Sequence, residues 1–144
     1  MSLIEITALL TDYAYGGAFK KNKANVTLVN ATQKNDDVTV PSGLEWTVLR
    51  GQIYNGDDVA RNCNVICYDS ANVEMATLHA DAALAATTRI QFPRRNQAAA
   101  EDPMESPVVL EAGDYVRFQF KTGGASTGGT GLRMLHVLER KADR

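Results

Sequence analysis

The chain has 144 residues, 44% hydrophobic and 22% charged, with a formal net charge of -2. That length supports one domain around one core, and the near-neutral balance argues against a broad nucleic-acid-binding face, which needs clustered Lys and Arg. No apolar run approaches the ~20 residues a bilayer-spanning helix needs, and the opening Met-Ser-Leu-Ile-Glu lacks the basic and apolar regions of a secretory signal, so no membrane partner and synthesis in a cytosol are expected.

In chain order, Leu3–Leu10 is the first candidate strand. Thr11 to Ala24 then carries Tyr13, Tyr15, Phe19, Lys20, Lys21 and Lys23 around Gly16-Gly17 and reads as a loop made for contact. Residues 1–24 thus form an N-terminal strand and arm, and residues 25–144 the main domain. Asn25–Asn30 and Val38–Val40 are short strands on either side of the turn Asn35-Asp36-Asp37. Pro41-Ser42-Gly43 introduces Leu44–Tyr54, where Leu44, Trp46 and Val48 share one face and Leu49 and Ile53 the other. Gly51 inside this run suggests a bulge or bend that lets one strand serve two sheets. Asn55-Gly56-Asp57-Asp58 reads as a turn, since Asp57 and Asp58 lack the alternating oxygen ligands of a calcium loop.

Cys63–Asp69 is the next strand. Four residues of extended chain separate Cys63 and Cys67 by about 13 Å, too far for a disulfide or a shared metal, so both are expected reduced and buried. Val73 to Ala86 is ambiguous: its alanines favour a helix, whose inner stripe would bury little. Strand and loop is the preferred reading, with helix as the competitor. Thr87–Phe92 is a strand, Arg94 to Pro107 a second contact loop opening on Arg94 and Arg95, and Val108–Leu110 a short strand. In Tyr115–Lys121, Val116, Phe118 and Phe120 point one way and Tyr115, Arg117, Gln119 and Lys121 the other, the period of a half-buried strand. Gly123 to Gly131 is a flexible connection before the last strand, Leu132–Glu139.

Many short strands separated by turns indicate an all-β fold, an antiparallel β-sandwich of jelly-roll type with long loops. Its expected core is Trp46, Val48, Val65, Cys67, Ile90, Phe92, Val116, Phe118 and Phe120.

Catalytic, cofactor and metal sites are not expected. His79 and His136 are too few for most triads or metal centres; His136, alternating with Met134 and Leu138, reads as a hydrogen-bonded core or interface histidine. Ser126 matches the spacing of a hydrolase elbow, Gly124-Ala125-Ser126-Thr127-Gly128, but the chain continues into a strand where an elbow needs a helix. The same context, and the missing lysine, argue against a phosphate loop. Function is therefore sought in surfaces, with Tyr13, Tyr15, Phe19, Lys20, Lys21, Arg94, Arg95, Gly124, Ser126, Thr127 and Gly128 as candidate interface residues.

Pro41 to Val48, Arg61 with Val65-Ile66-Cys67-Tyr68-Asp69, Ile90-Gln91-Phe92-Pro93 and Val109 to Arg117 together resemble small virion proteins of tailed bacteriophages, over roughly residues 38–140. The resemblance implies a jelly-roll subunit without catalytic residues, assembled in the host cytoplasm into the virion. Capsid decoration or cementing of the head is the first reading, as a homo-oligomer, a trimer by analogy, on the major capsid protein and without nucleic-acid contacts. A tail, baseplate or head–tail connector component is the alternative within that class. A carbohydrate-binding sandwich is the alternative outside it, requiring an aromatic platform from Tyr13, Tyr15, Trp46 and Tyr54.

Overall fold

The structure, a computed structural model, describes residues 17–30, 32–93, 107–121 and 128–142. Nine strands make two antiparallel sheets that pack face to face: β1 (Gly17–Leu28), β2 (Lys34–Thr39), β3 (Leu44–Asn55), β4 (Arg61–Tyr68), β5 (Glu74–Leu84), β6 (Thr88–Phe92), β7 (Val108–Leu110), β8 (Tyr115–Phe120) and β9 (Gly129–Lys141). Sheet A runs β1-β9-β3-β6, with β7 also paired to β3, and sheet B runs β2-β8-β4-β5. Every connection except β4–β5 and β6–β7 crosses between the sheets. With β6 and β7 counted as one interrupted strand, this is the eight-stranded jelly-roll order, so the expected β-sandwich is the observed fold.

Alternation builds the core. Along β4, Arg61, Cys63, Val65 and Cys67 are buried while Asn62, Asn64, Ile66 and Tyr68 are half-buried on the other face. Val116, Phe118 and Phe120 of β8 meet them within the sheet and face Trp46, Val48, Ile53, Leu135 and Val137 from sheet A. All nine expected core residues join this cluster, Ile90 only as a half-buried member at its edge. Cys63 and Cys67 are buried free thiols, both pushed up to about 12, first by desolvation and then by Asp81 and Asp114 respectively.

Several expectations are corrected. Residues 17–24 are not loop but the first two-thirds of β1, because their backbone pairs with Arg133 to Arg140 of β9. Phe19, Lys20 and Lys21 therefore sit on a strand, and the boundary between arm and domain does not fall at residue 24. Asn35-Asp36-Asp37 is strand rather than turn. On this edge of sheet B the acidic side chains are held by arginines, Asp37 by Arg117 at 2.8 and 2.9 Å and Asp36 by Arg133 at 2.5 Å. Val73 to Ala86, by contrast, follows its preferred strand-and-loop reading and contributes strand β5. Its pairing satisfies the backbone edge of β4, which a helix would leave open, and bulges bury Leu78 and His79 in succession.

The irregularity in β3 lies at Leu49, between Val48 and Arg50, and β3 stays in sheet A throughout. Gly51 has a packing role instead: a Cβ there would collide with the Phe92 ring and the Met134 carbonyl. Gly129 and Gly131 belong to β9, not to a loop, and Gly56 and Gly129 lie so close that a Cβ on Gly129 would strike the Gly56 carbonyl. The turn after β3 also holds a charged pair in the core. Asp57 accepts from Arg61 Nε at 2.5 Å, and Arg61 also donates to the carbonyls of Val29 (2.8 Å) and Thr32 (3.2 Å). This fastens the β1–β2 connection to the β3–β4 turn.

Candidate interaction surface

The outer face of sheet A is assembled by strand register. Lys21 of β1 lies opposite His136 of β9, and His136 lies opposite Arg50 of β3, so three cationic or titratable side chains form one row across adjacent strands. The two outer members stand about 10 Å apart, two inter-strand spacings. His136 is half-buried, and its pKa is lowered by desolvation first, then by Arg50 and Lys21.

One row away, Phe19, Leu138, Thr47 and Val109 are cross-strand neighbours, with Phe19 57% and Val109 48% exposed. On the other side come Met134, Gln52 and Gln91, and beyond them Arg89 lies over the Tyr54 ring at 5.6 Å. The surface between these rows is a concavity of about 1110 Å³, walled also by Pro93 and Pro107. A smaller one of about 310 Å³ adjoins it around Phe19, Leu49 and Lys21.

The two arginines of this concavity differ from the other described arginines. Arg61, Arg117, Arg133 and Arg140 each hold a carboxylate, of Asp57, Asp37, Asp36 and Glu45. Arg50 and Arg89 hold none among the described residues.

Of the residues expected at an interface, Phe19, Lys20 and Lys21 are brought to this region, all exposed on β1. Gly128 adopts a positive φ of 84° beside the Leu28 carbonyl, a position that shapes the start of β9. Tyr13, Tyr15, Arg94, Arg95, Gly124, Ser126 and Thr127, like the strand Leu3–Leu10, lie outside the described residues. Arg50 and Arg89 escaped the sequence reading, because an isolated arginine in a strand carries no local sign of its cross-strand neighbours. The aromatic platform is not assembled from its described members: Trp46 is buried and donates to Glu139 Oε2 at 2.9 Å, and Tyr54 is half-covered by Arg89. Among the described residues no cluster of three or more His, Cys, Asp or Glu is placed to hold a metal ion, and Asp57 is engaged by Arg61.

No protein-family model matches the sequence, and comparison with curated proteins gives no match. Among solved structures the chain is similar to one from the structure of infectious bursal disease virus, Gx strain, at 9% identity and a TM-score of 0.37. The likeness covers 87% of this chain and 33% of that one, so this chain spans a third of its neighbour's length.

Proposed function

We propose that the chain is a non-catalytic structural protein of a virion, most concretely a decoration or cement subunit of a bacteriophage head. The observation that carries this reading is the outer face of sheet A, where exposed Phe19 and Val109 border cations that have no carboxylate partner among the described residues. Apolar side chains beside unneutralised charge suit a surface that another protein covers. The virion assignment adds the strand-and-turn pattern shared with tailed-phage structural proteins and the jelly-roll order in which that pattern is folded. Assembly as a trimer on the major capsid protein follows from the same analogy, closed symmetry being the usual way for copies of one surface to satisfy one another.

The test is the protein's place and copy number in purified particles, by quantitative mass spectrometry and immunogold labelling. Labelling over the head, with copies in proportion to the major capsid protein, supports decoration. A few copies confined to the tail or one vertex transfer the role to a tail or connector component. Absence from particles, together with saturable binding on a glycan array, replaces the reading with the carbohydrate module.

A further inference from the structure

We infer that the concavity on the outer face of sheet A is a docking site for an acidic polypeptide segment of a partner protein, its carboxylates received by Lys21, Arg50 and Arg89. The inference deepens the proposed function by naming the chemistry of the partner, and it rests on that reading only for the partner being a virion component.

Lys21 and Arg50 flank His136 in one cross-strand row, two inter-strand spacings apart, and no carboxylate among the described residues enters it. Outside the concavity, the arginines among the described residues are neutralised, including the exposed pair Arg117–Asp37. An anion placed over the row would meet cations of β1 and β3, with Arg89 of β6 lining the same concavity. The pKa of His136 is lowered first by desolvation, and Arg50 and Lys21 add to that in the same direction.

The shape selects the class of anion. The larger concavity, about 1110 Å³, is slightly larger than ordinary small-molecule sites, and its cations Lys21, Arg50 and Arg89 are exposed rather than enclosed. That suits side chains presented by another surface better than a sequestered metabolite. A nucleic-acid backbone would call for a longer basic stripe. Here the charges are instead interleaved with Phe19, Leu49, Met134 and Ile90, which offer contact to apolar residues flanking the carboxylates.

The experiment titrates the full chain with a short oligoglutamate peptide carrying one leucine, following the His136 ring resonances by NMR and affinity by calorimetry. Saturable binding that raises the His136 titration midpoint is expected, because a carboxylate favours the imidazolium. Arg50→Ala with Arg89→Ala should weaken binding by up to about thirtyfold, the upper range for two exposed ion pairs. Arg50→Lys with Arg89→Lys should restore most of it, and Lys34→Ala on sheet B should change nothing. Absence of binding, or binding that leaves His136 unmoved, overturns the inference. So does tighter binding of a duplex DNA fragment lost in the same variants, which would make the face a nucleic-acid contact. If particles carry the protein but the peptide does not bind, the docking inference falls and the virion reading stands. If the peptide binds but particles lack the protein, the reverse holds.

Discussion

Replacing Arg61 by methionine tests whether the charged pair in the core is a structural fastening. Arg61 is 1% exposed and Asp57 0%, so the substitution leaves a buried carboxylate without its cation. It also removes the donors to the carbonyls of Val29 and Thr32. Breaking one side of a buried ion pair costs about 3–5 kcal/mol. For a chain of this size, about 4 kcal/mol lowers the melting temperature by roughly 8–16 °C and the urea midpoint by about 2 M. Far-UV circular dichroism through heat and urea melts reads both. Arg61→Lys keeps the charge but cannot fork to three acceptors, so it should fall between wild type and Arg61→Met. Arg61→Met combined with Asp57→Leu should recover much of the loss, since the uncompensated charge is gone. A loss below about 1 kcal/mol for Arg61→Met would refute the reasoning, as would a double variant no better than the single one. Either result would mean that water reaches Asp57.

Phe118→Ala, at a fully buried position beside Phe92, should cost about 3–5 kcal/mol in the same melts, and a value under about 1 kcal/mol would remove Phe118 from the core. Gly51→Ala should destabilise by about 1–3 kcal/mol, because the new methyl meets the Phe92 ring; Gly51→Ala with Phe92→Leu should be milder than the sum of the two, and strict additivity would contradict this. Cys63 and Cys67 should react with a thiol reagent slowly in the native state and as two thiols per chain after denaturation without reductant. Their folded pKa values of about 12 exceed the ordinary 9.0, so the fold favours the neutral thiols. That contribution is intact below pH 9 and is lost as pH rises toward 12; a Cys63→Ala, Cys67→Ala variant should show a flatter alkaline stability profile, and an identical one would contradict the burial.

The period-two runs were legible in the sequence because each is a local property. Tyr115–Lys121 announces β8 by itself, and alternation at Cys63, Val65 and Cys67 assigns one face of β4 to the core wherever those strands end up. Turn chemistry was legible for the same reason at Asn55-Gly56-Asp57-Asp58, where Asn55 Oδ1 accepts from the backbone of Asp57. Glycine was read less well. At Gly51, Gly56 and Gly129 its purpose is to let a ring or a distant carbonyl approach, which no local pattern reveals. Residues 17–24 failed as a strand for a related reason: lysines and a glycine pair resemble a loop until β9 supplies the backbone partners. The charge row failed completely, since Lys21, Arg50 and His136 are 29 and 86 residues apart and become neighbours only through the register of β1, β9 and β3. Composition and periodicity thus determined that this chain folds as a β-sandwich with Phe118 and Trp46 inside it. Sheet order, the site of the bulge at Leu49 and the meeting of three basic side chains were decided by long-range pairing, because hydrogen bonds between strands join residues that the sequence keeps far apart.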